Sequence, residues 1–332
     1  MKIVMYGSGA AGSVFASFLR GGGADMVLVD RYKAHMEKVA ADGMYFTVHQ
    51  QVNGEYQDET RHLTGFRTYT DAESAAKAEG KADIIIYMTK ATQLEQAVQD
   101  SLPLVGEETV AVELINGLGN DDILFRTFPK NRCIVGSGVL GTVLPEPGVC
   151  IVTPAGDVHM NFGGAERSER SDRACEELEA CFRGGGCNAF WRKDDIYRYI
   201  WLKVILNTTV NVVCAVLRLK AGYVEDDPAG RWLYHSIVRE CCAVATAKGV
   251  PFDAEEFIEK EHIPCIANIY DYYPSMAQDV LMNRRQTEID NLNGMIVKYG
   301  EELGIPTPVC KVLTEEIHCI QANYDKQYRE AT

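Results

Sequence analysis

Three polar side chains, Lys203, Asn207 and Asn211, interrupt the apolar run from Trp201 to Val213. At 3.6 residues per turn, positions i, i+4 and i+8 lie on nearly one helix face, drifting about 40° per step. Burial disfavours an ammonium and Asn is a weak helix former, so the stripe is costly unless something uses it. The lysine can supply a proton and positive charge, and the two amides can donate and accept. On a surface helix the same spacing is only a solvated stripe. A second group of residues bears on which reading holds. Gly7-Ser8-Gly9-Ala10-Ala11-Gly12 has the spacing Gly-x-Gly-x-x-Gly. Between a strand and a helix, the first glycine permits the tight turn. The second lets a pyrophosphate approach the backbone, and the third lets helix and strand pack closely. The N–H groups that open the helix then face phosphate. About twenty residues further on comes Asp30-Arg31. An acid there suits the ribose of NAD, and an arginine suits the extra phosphate of NADP.

The elements that must hold these residues follow from periodicity and punctuation. Lys2–Tyr6 reads as a buried strand, Ser13–Arg20 as a helix closed by Gly21-Gly22-Gly23, and Met26–Val29 as the second strand. Phe46–Val48 and Glu55-Tyr56 around Asn53-Gly54 suggest a hairpin. Asp83–Met88, Thr109–Leu114 and Cys133–Val135 read as core strands, the first two ending in Thr89-Lys90 and Asn116-Gly117. A helix carrying Gln93 follows Lys90. Strands alternating with helices predict a parallel, doubly wound sheet with ligands at the carboxyl ends of its strands. Gly7, Arg31, Lys90 and Asn116 all fall there. Two further strand-like runs, Val149–Val152 and Val158–Phe162, precede a polar helix over Arg167–Arg183 and a last strand at Asn188–Trp191. Beyond Asp194 only helical periodicity remains. The reading is a Rossmann-type domain over residues 1–192 and an all-helical domain over 193–332. Thr287 with Asp290 makes a plausible capping box, and Pro274-Ser275 a helix start.

Composition narrows the classes. The chain of 332 residues is 46% hydrophobic and 24% charged, ordinary for a globular protein. A net charge of -14 with no Lys/Arg block argues against nucleic-acid binding. The 11 cysteines form no C-x-x-C and suit a reducing cytosol. The 7 histidines show no metal-ligand spacing, so no metal is expected. Glycines 7, 9 and 12 break the N-terminal run that would otherwise resemble a signal peptide. Val204–Leu219 reads as too short and too polar to span a membrane. A cytoplasmic protein is the expectation.

Six blocks, in order and approximate spacing, resemble the ketopantoate reductase (2-dehydropantoate 2-reductase) family over nearly the whole chain. They are Gly7–Gly12, Lys90 with Gln93, Asn116-Gly117, and Trp201-x-Lys203-x3-Asn207-x3-Asn211. Ser275-Met276-x-Gln278-Asp279 and Thr287-Glu288-Ile289-Asp290-x2-Asn293-Gly294 complete the set. The resemblance implies that Lys203 is the general acid and that Asn207 and Asn211 contact substrate. It implies that Ser275 holds the substrate carboxylate and that Glu288 serves both cofactor and active-site network. Lys90, Gln93 and Asn116 match cofactor-side positions, with Asn116 also within the substrate set, and Arg31 matches the residue that recognises NADPH. Ala221 stands where some members have a further substrate-binding Asn.

The reaction implied is reduction of a small 2-oxo acid by NADP(H), with NAD(H) kept open by Asp30. Ketopantoate to (R)-pantoate, in pantothenate and coenzyme A biosynthesis, is the leading case. The expected site is a cleft between the two domains, and a homodimer is left open. Three alternatives remain: an NADH-dependent reductase of another, bulkier aromatic 2-oxo acid; a non-catalytic dinucleotide sensor; and a β-hydroxyacid or sugar-acid dehydrogenase.

Overall fold

A computed structural model describes residues 1–52, 55–153 and 159–327. The chain divides into two compact units. One comprises residues 1–116 and 120–199, the other residues 117–119 and 200–332.

In order, the first unit contains β1 (Lys2–Tyr6), α1 (Ala10–Gly21), β2 (Asp25–Val29), α2 (Lys33–Asp42), β3 (Met44–Val52), β4 (Glu55–Leu63), β5 (Arg67–Tyr69), α3 (Ala72–Glu79) and β6 (Ile84–Tyr87). It continues with α4 (Leu94–Asp100), β7 (Val110–Glu113), α5 (Asn120–Phe125), β8 (Cys133–Val139), β9 (Gly141–Glu146), β10 (Val149–Thr153), β11 (His159–Gly164), α6 (Glu169–Gly184) and β12 (Asn188–Trp191). The main sheet runs β12-β11-β8-β7-β6-β1-β2-β5. The six strands from β5 to β8 are mutually parallel. β11 joins β8 antiparallel, and β12 runs parallel to β11. The expected doubly wound sheet is therefore present, with two strands of reversed direction added at one edge.

Side-chain alternation explains why β6 and the middle of β1, Ile3, Val4 and Met5, are apolar throughout. Ile3, Met5, Ile84 and Ile86 enter the core on one face, while Val4, Ile85 and Tyr87 enter the core on the other. Strands covered on both faces lose the polar half of a period-2 pattern. The winding starts at β1, runs through β2 to β5, then returns to β6 on the opposite side. The order reverses between β1 and β6, which is where doubly wound sheets hold ligands.

A second sheet, β4-β3-β10-β9, was only partly legible as a hairpin and a strand-like run. β3 and β4 pair antiparallel along nine residues; the turn at Asn53-Gly54 and the start of the Val158 run lie outside the described residues. This sheet covers α1, where Phe18 meets Phe46 edge to face at 4.8 Å and Ser17 Oγ contacts Met44 and Cys150. Covered by both sheets, α1 buries every residue from Gly12 to Leu19.

The second unit is helical; among the described residues no strand follows Trp191. Its helices are α7 (Ile196–Leu217), α8 (Ala221–Asp226), α9 (Pro228–Ala247), α10 (Ala254–Phe257), α11 (Ile263–Asn268), α12 (Ser275–Gln278), α13 (Asn293–Leu303) and α14 (Pro308–Ala322). The division between units falls inside α7. One correction concerns α7: at 22 residues it is long and apolar enough, by length and composition, to cross a membrane. The polar residues Tyr197, Arg198 and Tyr199 hid its first turn in the sequence. Trp201, Val204, Ile205 and Val210–Ala215 are buried in the protein, as in the core helix of a bundle. Asp227 caps α9 through Ala229 and Gly230 N–H. The Glu240 carboxylate on α9 accepts the Val309 and Cys310 N–H groups at 2.8 and 2.9 Å, which satisfies and charge-complements the start of α14.

Candidate active site

The fold constrains two of the three glycines in the turn and leaves the third open. Gly7 has φ +95, and a Cβ there would stand 2.9 Å from the Met88 backbone at the end of β6. A Cβ on Gly12 would lie 1.9 Å from Gly7 O, so only glycine lets α1 leave the strand so closely. At Gly9 the protein imposes nothing: no atom lies within 4 Å of the place a methyl group would occupy. Gly9 caps α1 without a side chain, so the amides of Ala10, Ala11 and Gly12 open the helix as donors without an earlier turn. Ser8 Oγ and Thr89 Oγ1, at the ends of β1 and β6, are buried polar atoms without a hydrogen-bond partner. An open second glycine, helix-opening amides without an earlier turn and two orphaned hydroxyls at the switch point fit a bound dinucleotide pyrophosphate.

The Asp30 and Arg31 pair divides its labour. Asp30 Oδ2 accepts Ser8 N–H at 2.6 Å and Oδ1 accepts Tyr32 N–H at 2.7 Å. The carboxylate thus braces the turn against the end of β2. Arg31 is 79% exposed and meets Asp100 at 2.8 Å, an exposed pair of small worth. Lys90 is exposed and precedes a 3-10 turn, Ala91–Gln93; Gln93 is exposed there, just ahead of α4 rather than within it. Asn116 is half-buried beyond β7, and its carbonyl accepts Asn120 Nδ2 at 3.3 Å.

In the helical unit, Lys203 and Asn207 are half-buried and Asn211 is buried, so the stripe does not face open solvent. Loss of hydration pushes the Lys203 ammonium down to about 8, against the pull of the Glu288 carboxylate. Glu288 is exposed and precedes a single 3-10 turn, Ile289–Asn291. Ser275 is exposed as the first residue of α12, after Pro274, as the helix start predicted. The capping box at Thr287 does not form. Thr287 Oγ1 accepts Ile289 N–H at 3.3 Å, and Asp290 Oδ1 pairs instead with His318 Nε2 at 2.8 Å. The chain makes only one 3-10 turn there, so no N3 amide of an α-helix is in place to complete the box.

Three positions escaped the sequence reading as anchors. Asn293 is fully buried and donates from Nδ2 to Thr208 O at 3.2 Å, tying the start of α13 to α7. Gly117 has φ +99, and a Cβ there would lie 2.6 Å from Asn291 O, to which Leu118 N–H donates at 2.9 Å. Glu113, at the end of β7, is buried; desolvation and then Asp121 hold its carboxyl well above the usual range, and Oε2 accepts Ile115 N–H. Asn293 and Gly117 sit inside two of the six blocks, but nothing in their spacing reveals a backbone partner elsewhere in the chain.

Comparison with known proteins adds the family. The model for "Ketopantoate reductase PanE/ApbA" matches residues 3–166, and that for "Ketopantoate reductase PanE/ApbA C terminal" matches residues 195–321. A 2-dehydropantoate 2-reductase of Lactococcus lactis is 32% identical over 322 residues, covering 96% of this chain and 97% of its own. Among solved structures, D-mandelate dehydrogenase with NADH and anilino(oxo)acetate superposes with a TM-score of 0.81 at 28% identity, covering 98% of this chain and 100% of that one. A 2-dehydropantoate 2-reductase from Geobacter metallireducens gives 0.80 at 26%, covering 96% and 99%.

Proposed function

The chain belongs to the ketopantoate reductase family and is an NAD(P)H-dependent 2-oxo-acid reductase; from this premise we propose that it reduces 2-dehydropantoate to (R)-pantoate with NADPH, Lys203 acting as general acid. In this reading residues 1–192 hold the dinucleotide and residues 193–332 bind substrate and carry the catalytic lysine. The reaction would serve pantothenate biosynthesis. The observation that carries the proposal is Lys203 itself: half-buried, in line with Asn207 and Asn211, with an ammonium pushed down to about 8.

The bound nicotinamide supplies hydride to the carbonyl carbon of the substrate. The protein's task is to meet the charge that then develops on the carbonyl oxygen. The Lys203 ammonium stabilises that oxygen and delivers a proton from Nζ. A pKa near the working pH makes the lysine a better proton donor than a solvated one while leaving much of it charged. Asn207 and Asn211 hold the substrate's carbonyl and hydroxyl oxygens, and the Ser275 hydroxyl takes the carboxylate, fixing the ketone in reach. Glu288 favours the charged lysine and orients it. On the cofactor side, Gly7–Gly12 receives the pyrophosphate. Arg31 takes the extra phosphate of NADPH, exchanging its exposed ion pair with Asp100 for one with the phosphate. Lys90, Gln93 and Asn116 complete the cofactor set, Asn116 reaching the substrate as well.

Lys203→Ala is expected to cut kcat by roughly two to four orders of magnitude while NADPH titration stays near normal. Near-normal turnover in that variant rules the assignment out. A second reading rests on Asp30 and on the likeness to D-mandelate dehydrogenase, which binds NADH: an NADH-dependent reductase of an aromatic 2-oxo acid. Steady-state assays over ketopantoate and aromatic 2-oxo acids, each with both cofactors, separate the two.

A further inference from the structure

Apart from the catalytic stripe, the helical unit gathers two histidines and a carboxylate from three elements. Glu225 lies on α8, His235 on α9, and His262 ends a π-helical turn over Ile258–His262. One ligand atom from each residue lies within 4.8 Å of the others. The carboxylate stands between the rings: Oε2 is 3.2 Å from His262 Nε2, and Oε1 is 3.6 Å from His235 Nε2. The second separation is too long for a hydrogen bond. His235 Nε2 and His262 Nδ1 are both buried without a hydrogen-bond partner, and the His262 side chain is fully buried. His235 Nε2 is the one of the two that faces the carboxylate, at 3.6 Å; an orphaned buried nitrogen costs about 1–3 kcal/mol. A carboxylate alone leaves this group under-satisfied.

We propose that Glu225, His235 and His262 form a binding site for one zinc-class divalent cation, held by His235 Nε2, His262 Nε2 and a Glu225 oxygen, with water completing the sphere. Ligand atoms of a tetrahedral zinc, at 2.0–2.1 Å from the metal, stand about 3.3 Å apart. The two histidine-to-carboxylate separations, 3.2 Å to Oε2 and 3.6 Å to Oε1, already bracket that value. The three ligand atoms lie within 4.8 Å of one another, so closing the widest gap takes at most about 1.5 Å, within reach of side-chain torsions. Two imidazoles with one carboxylate suit zinc, cobalt or nickel; calcium and magnesium take all-oxygen sets. The competitor is Arg231, whose Nε donates to Glu225 Oε1 at 3.0 Å. It is half exposed and can turn into solvent when a cation arrives.

The location gives the cation a structural task. Ala221 and Gly222, at the start of α8, donate from their N–H groups to Tyr272 O and Tyr270 O at 3.2 and 2.9 Å. The segment they hold runs directly into Pro274 and Ser275. A metal joining α8, α9 and the π-turn braces that segment from behind. The sequence reading expected no metal; its ligands come from separate elements, so no linear spacing announces them.

The test uses the full chain, tag-free and chelator-stripped, carrying Cys319→Ser because Cys319 is an exposed thiol. Zinc is titrated calorimetrically at neutral pH, with cobalt as the spectroscopic probe. The expected result is one saturable site per chain, a raised Tm, and a cobalt spectrum without a thiolate band. His235→Gln should weaken binding by at least the roughly 10–100-fold that an outer-shell partner alone is worth. If that variant does not fold, Arg231→Gln decides: it keeps all three ligands and removes the competing guanidinium, so zinc should bind tighter. No saturable binding, zinc affinity unchanged by His235→Gln, or, where Arg231→Gln must decide, affinity unchanged by it overturns the proposal.

Discussion

At the scale of single residues, the proposed reaction turns on one proton. Lys203 is an acid in its charged form, so activity that depends on it is full below its pKa and lost above it. With the ammonium near 8, kcat should decline as pH rises through about 8. The cause is partitioned in a way that can be checked. Desolvation lowers the pKa and the Glu288 carboxylate raises it, so removing that charge must lower it further. Glu288→Gln is therefore expected to move the alkaline limb of the kcat profile to lower pH, leaving turnover at acidic pH less affected than at neutral pH. An unmoved limb would mean that Glu288 does not act on Lys203 through charge. The spacing of Lys203, Asn207 and Asn211 was legible because helical geometry alone aligns them. The partners of Asn293 and Gly117 were not legible, because each is a backbone carbonyl that any residue type could supply.

At the scale of elements, the turn from β1 into α1 separates what the fold requires from what a ligand requires. Gly12 is demanded by packing, since a Cβ would strike Gly7 O at 1.9 Å and backbone cannot move aside cheaply. Gly9 has φ -68 and open space around it. Gly12→Ala should thus destabilise the protein by about 1–3 kcal/mol through overpacking, read as a lower midpoint in denaturant. Gly9→Ala should hold its stability within about 1 kcal/mol yet bind the dinucleotide at least tenfold more weakly, because the methyl group occupies the approach to the backbone amides. Equal dinucleotide affinity in Gly9→Ala and the parent chain would remove the ligand explanation for that glycine. The main sheet was readable for a related reason: strands buried on both faces announce themselves as Ile84-Ile85-Ile86. The small sheet was not, since β3 and β4 are joined to β9 and β10 only after a long stretch of chain, and pairing between distant strands leaves no local periodicity. The capping box failed because the motif was present without the helix it serves.

At the scale of the molecule, the open question is which cofactor the native state prefers, and linkage lets the whole chain report it. A ligand that binds only the folded protein stabilises it by RT ln(1 + [L]/Kd), about 2.7 kcal/mol at a hundredfold excess over Kd. NADPH and NADH at equal concentration therefore raise Tm in proportion to the logarithm of their affinities. The structure bears on the outcome through Asp30 and Arg31. Both Asp30 oxygens already accept backbone N–H groups, and Arg31 is exposed with a weak partner, so the arginine has more to gain from a ligand. NADPH should give the larger shift. Arg31→Ala should abolish most of the difference, since a hydrogen bond to a charged group is worth about 1.5–3 kcal/mol, while leaving the NADH shift nearly intact. A larger shift with NADH in the parent chain would instead place Asp30 on the adenosine ribose and favour the mandelate-dehydrogenase-like reading. The measurement needs no substrate, so it decides the cofactor independently of whether ketopantoate is the ketone reduced above Lys203.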